Sequence, residues 1–405
     1  MKKIALLFVH NGSAEVDWIL PVLYKLSRNY KIFTFFKSKK VYQNFKSNNE
    51  VFFLWKKINK GQYVDSLKRA FFWRIIRNIF LFIFGEKFFL NDFVFKKTNN
   101  PEFIQKILFK KFKINNGPDF IFSEFGVNSG WVPNCKSYFN NLNIIHYPST
   151  PHVYFKSDKK HKIKFSLRGD YLLVDSALSK EYFSKQIPKK KIIVTGTPRF
   201  DKNWQKKIDS VSDFDFNYKS LSKKNSFVTF AYESYLHKFD KKIDQKLIKQ
   251  LHDIMDVVSK FKNLIIIFKI HPKKNMPGYL DILKKYDKNK WIVSKNHLSK
   301  LSKISKIFLH HPFSATMLDS ISLKTPTIEI WKELELHQDP LNTYEKLKLL
   351  VTAKDKKILL NLFSKILIKK NTKEFYIQYN NFKKIFFKHN KSSVNFVIKK
   401  LRILN

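Results

Sequence analysis

The chain of 405 residues sets 78 Lys and Arg against 32 Asp and Glu, a formal net charge of +46, and 44% of it is hydrophobic. That apolar content excludes a disordered chain and, at this length, fits two domains. The one cysteine, Cys135, excludes an internal disulfide and fits a reducing cytoplasm.

Arginine stands only at 28, 69, 74, 77, 168, 199 and 402, so nearly all the basic charge is lysine. Two origins are open: lysine drift on solvated faces, as an AT-rich genome produces, or selection for an anionic partner such as a membrane surface. Few arginines leave little for bidentate base reading, and no specific nucleic-acid partner is expected.

In chain order, KIALLFV (3–9) predicts a buried strand; its apolar run is about half of what a secretory signal needs. The turn His10-Asn11-Gly12-Ser13 leads to a helix near 15–28, and KIFTFF (31–36) is the next strand. Residues 62–112 are mostly helical in pattern. Within them AFFWRIIRNIFLFIFG (70–85) is interrupted by Arg74 and Arg77 and falls short of the ~20 residues of a spanning helix. It reads either as a buried helix or as an interfacial one, aromatics in lipid and arginines at the headgroups.

DFIFSEF (119–125), NIIHY (143–147), YLLVDS (171–176) and KIIVTG (191–196) read as strands, with a helix near 178–186. Residues 201–225 are polar and aperiodic and read as a linker, with Asp213 and Asp215 solvated in it. A second alternating half follows. Its strands are SFVTFAYE (226–233), NLIIIFKIHP (263–272), WIVS (291–294), KIFLHH (306–311) and TPTIEIW (325–331), with helices over 241–261 and from about 314. From 354 the pattern is helical and lysine-rich.

Such alternation predicts an α/β protein with parallel sheets. The expected layout is two Rossmann-like domains, 1–200 on the acceptor side and 226–353 on the nucleotide-donor side, joined by the linker 201–225. A helical C-terminal tail over 354–405 completes it, with the site in the cleft between the domains.

Ligands in such sheets sit at the carboxyl ends of strands, and polar residues collect there. Asn11, Gly12 and Ser13 follow the first strand; Glu124 ends DFIFSEF; His146 ends NIIHY; Arg199 follows KIIVTG. Lys269, His271 and Pro272 end NLIIIFKIHP and suit a diphosphate: an imidazole donor, an ammonium and a fixed loop. Ser314 and Thr316 open a helix, where hydroxyls either cap free amides or, beside the helix dipole, hold phosphate oxygens. Asp319 lies within that helix and could hold a sugar hydroxyl.

The order IHYPSTP, VTGTPRFD, FVTFAYES, FKIHPKK, LHHPFSATMLDSISLKTP, over roughly residues 140–335, resembles the CDP-glycerol glycerophosphotransferase family and related surface-polysaccharide transferases. In broader outline it is similar to GT-B sialyltransferases and epimerases with a His-Pro loop and a serine-rich loop. The resemblance implies a GT-B-like fold. It places His146 as the acceptor-side base and Gly196, Pro198, Arg199 and Asp201 in the Pro-Arg segment. His271 and Pro272 fall in the donor-phosphate loop, with Lys269 where the family has arginine. Ser314, Asp319, Lys324 and Pro326 fall in the serine stretch. The chain departs from the family at Tyr147, where a glycine is usual, at Pro312 in place of an aspartate, and at Ala315 in place of the second serine. These departures point to another donor.

The function the resemblance implies is a metal-independent, GT-B-type glycosyl- or glycerophospho-transferase of cell-envelope polysaccharide biosynthesis, with no cofactor. It would move a sugar or polyol phosphate from a nucleotide-activated donor to a glycan or lipid-linked acceptor. His146 or Glu124 would take the acceptor proton. Lys269, His271, Arg199 and the amides near Ser314 would stabilise the leaving phosphate. The alternative of the same fold is a non-hydrolysing nucleotide-sugar epimerase, which needs no acceptor. Either would be cytoplasmic, with a transferase peripheral on the inner face of the membrane.

Overall fold

The computed structural model describes residues 2–64, 106–108, 110–114, 117–125, 132, 135–139, 141–148, 167, 169–212, 214–232, 241–269, 279–312, 314–330, 343–387 and 392–403. The aromatic zone at 70–97 and the His271-Pro272 pair lie outside them.

Two parallel sheets carry the fold. The first is built from Lys3–Val9 (β1), Tyr30–Phe36 (β2), Asn59–Val64 (β3), Phe120–Glu124 (β4), Asn143–Tyr147 (β5), Tyr171–Val174 (β6) and Ile192–Val194 (β7), in the spatial order β3-β2-β1-β4-β5-β6-β7. The second uses Ser226–Ala231 (β8), Leu264–Lys269 (β9), Trp291–Ser294 (β10), Ser305–His310 (β11), Thr327–Ile330 (β12) and Thr352–Ala353 (β13), in the order β10-β9-β8-β11-β12-β13. The α/β class with two Rossmann-like halves is as the sequence predicts.

Interior strands read as unbroken apolar runs because both faces are covered. Alternation is still present within β1. Ala5, Leu7 and Val9 enter one core; Ile4, Leu6 and Phe8 enter the other, on the opposite face of the sheet. Helix Ser13–Leu26 (α1) fills the first core with Trp18, Ile19, Val22 and Leu23. Trp18 stacks on Tyr147 with ring centroids 5.5 Å apart, which contributes ~0.5–1.5 kcal/mol beyond its buried area. Helices Lys39–Lys46 (α2) and Asn49–Ile58 (α3) begin at Ser38 and Asn48, whose side chains accept from Val41 N and Val51 N.

Two segments and one residue differ from expectation. Residues 59–64 form edge strand β3 rather than the start of a helical zone. Part of the polar stretch at 201–225 is helical, over Lys202–Ser210 and Tyr218–Ser222. Asp215 is not merely solvated: its carboxylate accepts from Ser294 Oγ at 2.8 Å and Lys295 N at 2.5 Å, fixing the loop after β10.

The tail ties the halves together. Helix Lys356–Leu367 and Phe375 join the core of the second sheet. Phe382 and Phe386 pack with Phe200, Met317 and Leu318. Helix Ser393–Ile403 then returns to the first half, where Val394, Val397, Ile398 and Leu401 join the same core as α1. Asp201 receives its first turn, accepting from Ser393 N and Val394 N at 2.9 Å each. Gly196 has φ of +74°, and a side chain there would meet the Phe386 carbonyl at 2.9 Å, so glycine is required where the tail passes.

Candidate functional site

In each sheet the chain reverses direction of winding at one place: between β1 and β4 in the first, between β8 and β11 in the second. A crevice forms beyond the carboxyl ends of the strands at such switch points. The first one gathers titratable side chains. His10 Nε2 lies 3.3 Å from Ser123 Oγ, and Asn11 Nδ2 donates to Glu124 Oε2 in a short hydrogen bond. Pairing of β4 with β5 sets Ser123 beside His146 and Glu124 beside Tyr147.

Beneath this loop sits Glu15, fully buried, three residues past Gly12 at the start of α1. Its Oε2 accepts from His10 N at 2.7 Å and Asn11 N at 2.8 Å. Gly12, with φ of +112°, makes the turn possible. Burial, and then the neighbouring Glu124 charge, raise the Glu15 carboxyl well above its ordinary range. Two carboxyls so placed do not both ionise readily. Burial lowers His10 to about 3 and His146 to about 4, so both imidazoles are neutral at pH 7.

Buried polar atoms are normally paired. Around this crevice several have no hydrogen-bond partner among the described residues: His10 Nδ1, Glu15 Oε1, both ring nitrogens of His146, and the Tyr147 hydroxyl. Gly169 packs against the His146 ring so closely that a side chain there would lie 2.7 Å from Cδ2, which fixes the ring. Such a set of unsatisfied donors and acceptors at a strand-end crevice is suited to a polar ligand.

At the second switch point His310 ends β11 and His311 follows, both buried. His310 Nδ1 lies 2.8 Å from the His311 carbonyl oxygen, and burial lowers its pKa to about 4. The His311 ring packs on Phe230 and Tyr232, with centroids at 5.1 and 5.5 Å. Lys269 ends β9 and donates to Lys295 O at 2.6 Å; burial pushes its ammonium down to about 8. Ser314 and Thr316 bond each other at 2.7 Å, and no side chain caps the helix Thr316–Ser322.

Between the halves runs a buried ionic chain. Arg199 NH2 donates to Asp319 Oδ2 at 2.8 Å, and NH1 lies 3.5 Å from Asp17 Oδ2. The same Asp17 oxygen is 3.2 Å from His297 Nε2. His297 N donates to Glu50 Oε1 at 2.9 Å, and Lys300 Nζ lies 3.7 Å from that oxygen. All six residues are buried. Asp17 and Glu50 belong to α1 and α3, which pack on the first sheet. His297, Lys300 and Asp319 follow strands of the second. Apart from Glu50, which opens the second helix after β2, each partner is close behind the carboxyl end of a strand or on the helix that leaves it, so the two carboxyl edges face one another.

The structure therefore brings Asn11, Gly12, Glu124 and His146 to one crevice, with Ser13 opening α1 beside it. It joins Arg199 to Asp319, and Ser314 to Thr316. Glu15, Asp17, Glu50, His297 and Lys300 were not foreseen. The strand-end rule, applied to WIVS, would have found Lys295-Asn296-His297; nothing in the sequence marks Asp17 or Glu50 apart from surface helix acids.

The His297–Asp17 pair carries a pH prediction. Burial alone would lower His297, but Asp17 beside it, with Glu50 and Asp319, raises it above its ordinary value. Stability from this pair is complete between about pH 4 and pH 6.5. It is lost in acid as Asp17, which burial alone would raise but His297 and Arg199 hold below its ordinary value, is protonated, and lost again as pH rises through the higher folded value of His297. Lys269, lowered to about 8, acts in the opposite sense above that pH. Urea midpoints should fall from pH 6.5 toward 8, and His297→Gln should flatten that slope; equal slopes in both proteins would refute the pairing.

Among the described residues no three His, Cys, Asp or Glu side chains come together as a metal site, and no helix is long and apolar enough to cross a membrane.

No protein-family profile matches the sequence, and no curated protein matches it. Solved structures match its fold over the whole chain. The UDP-GlcNAc 2-epimerase of Methanocaldococcus jannaschii, in complex with UDP-GlcNAc and UDP, superposes with a TM-score of 0.56 at 16% identity, covering 100% of both chains. MnaA of S. aureus with UDP gives 0.58 at 10% identity, over 98% of this chain and 95% of that one. The glycosyltransferase SnogD of Streptomyces nogalater gives 0.55 at 11%, over 100% of both. At these identities the likeness establishes the fold, two facing Rossmann-like halves of GT-B type.

Proposed function

We propose that the protein is an enzyme acting on a nucleotide-activated sugar bound between the two carboxyl edges, and that it epimerises the sugar without an acceptor. The observation that carries this reading is the crevice at the first switch point, where the neutral imidazole of His146 lies on the strand next to Glu124, whose carboxyl neighbours the buried Glu15. Inverting a ring carbon with no carbonyl beside it takes the proton from one face as the diphosphate leaves the adjacent carbon, so that the electron pair forms a double bond, and returns a proton to the other face as the diphosphate rejoins. Such work needs a base and an acid held apart in pKa. His146, kept unprotonated by burial, is the base; the Glu15–Glu124 pair, which retains a proton, is the acid. The likeness to epimerases that bind UDP-GlcNAc and UDP supports a nucleoside diphosphate sugar as substrate. In this reading Lys269, His271, Pro272, Ser314 and Thr316 hold the diphosphate from the second half, while Arg199 and Asp319 position the halves.

A transferase acting on a glycan or lipid-linked acceptor is the second reading. The run LHHPFSATMLDSISLKTP favours it, because it follows the glycerophosphotransferase order. There His146 or Glu124 would deprotonate the acceptor hydroxyl. One experiment separates the two. Incubation with UDP-, GDP-, CDP- and ADP-sugars in deuterated water, with no acceptor, should yield an isomer carrying one solvent deuterium on the inverted carbon. Donor turnover that appears only when acceptor is added, with no deuterium incorporated, would replace the epimerase with the transferase.

A further inference from the structure

A cleft of about 530 Å³ opens at the other end of the first sheet, lined by Lys3, Lys25, Arg28 and Arg402 with Asn29 and Tyr30 among its remaining walls. Lys3 and Tyr30 are the first residues of β1 and β2, so the cleft lies at the amino edge. The crevice holding His10 and Glu124 is at the carboxyl edge, a seven-residue strand or ~20 Å away. One ligand does not reach both.

Among the described residues its lining carries four cations and no acid. Three segments far apart in sequence make it: the chain start, the end of α1 and the terminal helix. Lys25 Nζ donates to Asn395 Oδ1 at 2.7 Å at the surface, and beneath it Leu26, Ile398 and Leu401 pack in one core, which holds the terminal helix to α1 and fixes the wall. Lysine drift does not explain the rest. Only seven of the 78 basic residues are arginine, and two of the seven, Arg28 and Arg402, meet here. A planar guanidinium takes two oxygens of a phosphate at once, which an ammonium does not. Cations in the last turns of α1 and of the terminal helix also complement the helix dipoles. That accounts for Lys25 and Arg402 but not for Arg28, which lies beyond the end of α1, or for Lys3.

We infer that this cleft is a second anion site, separate from the sugar-nucleotide crevice, that takes a phosphate ester. Two sources share that chemistry, a soluble phosphomonoester and the headgroup of an acidic phospholipid.

The test is the double variant Arg28→Gln/Arg402→Gln in the full chain, against a control that removes equal charge elsewhere, Lys369→Gln/Lys370→Gln, both exposed and in the second half. The control is needed because a chain of net charge +46 is drawn to any anionic surface. Binding is measured to glycerol 3-phosphate by calorimetry, and to phosphatidylglycerol–phosphatidylcholine vesicles by sedimentation. The arginine variant should lose about tenfold in affinity, as loss of charge-assisted hydrogen bonds implies, with the control near wild type and both melting normally. Loss in calorimetry identifies a soluble phosphate ester; loss with vesicles alone identifies a lipid headgroup. Equal loss in both variants, or no loss in either, overturns the site.

Discussion

Arg199→Ala is expected to lower stability by ~3–5 kcal/mol, the range for removing one partner of a buried ion pair. The substitution leaves Asp17 and Asp319 facing each other without the cation that lies 3.5 and 2.8 Å from them. Burial already raises the Asp319 carboxyl, and Arg199 offsets that rise; its removal drives Asp319 toward the protonated form. Against a typical total of ~5–15 kcal/mol, such a loss is large. Urea denaturation would measure it, with Asp319→Asn as the second arm. In the double variant the uncompensated charge is reduced, so the combined loss should fall short of the sum of the single losses by ~0.5–3 kcal/mol. An unchanged midpoint in Arg199→Ala would mean that the ionic chain does not hold the halves.

His146→Gln should reduce turnover by ~10²–10⁴-fold while leaving the melting temperature near wild type. Glutamine nearly fills the ring's space beneath Gly169 and keeps a polar end, so packing is spared while the titrating nitrogen is lost. In the wild type the acidic limb of kcat/KM should fall near pH 4, where burial places His146. The limb should be absent from the residual activity of the variant. A limb that persists there at the same pH would assign the base to another group, Glu124 first.

The sheets were legible because interior parallel strands write themselves as apolar runs: KIALLFV and NLIIIFKI leave little choice. β3, NKGQYV, was not, since an edge strand only half-buried along most of its length has little need of an unbroken apolar run. β13 has two residues and no pattern to read. The crevice was half legible. His10, Asn11, Glu124 and His146 sit where strand-end logic places polar groups. Glu15, Asp17 and Glu50 read as ordinary acids in the first turns of surface helices. What buries them is the backbone turn above Glu15 and, for the other two, the second half of the molecule, which no local window contains. Arg199 and Asp319 were each found, for a shared reason that the sequence hid: 120 positions apart, they bond each other.

The return of helix Ser393–Ile403 to the first core has a consequence for how the protein is born. Val211 is in that core and so is Val394. Ribosomes add roughly 5–20 residues per second, so the first half waits on the order of ten to forty seconds for its last wall. Throughout that interval Trp18, Ile208 and their neighbours present an unfinished greasy face, and a nascent chain stopped short of residue 393 should be a chaperone client rather than a folded domain.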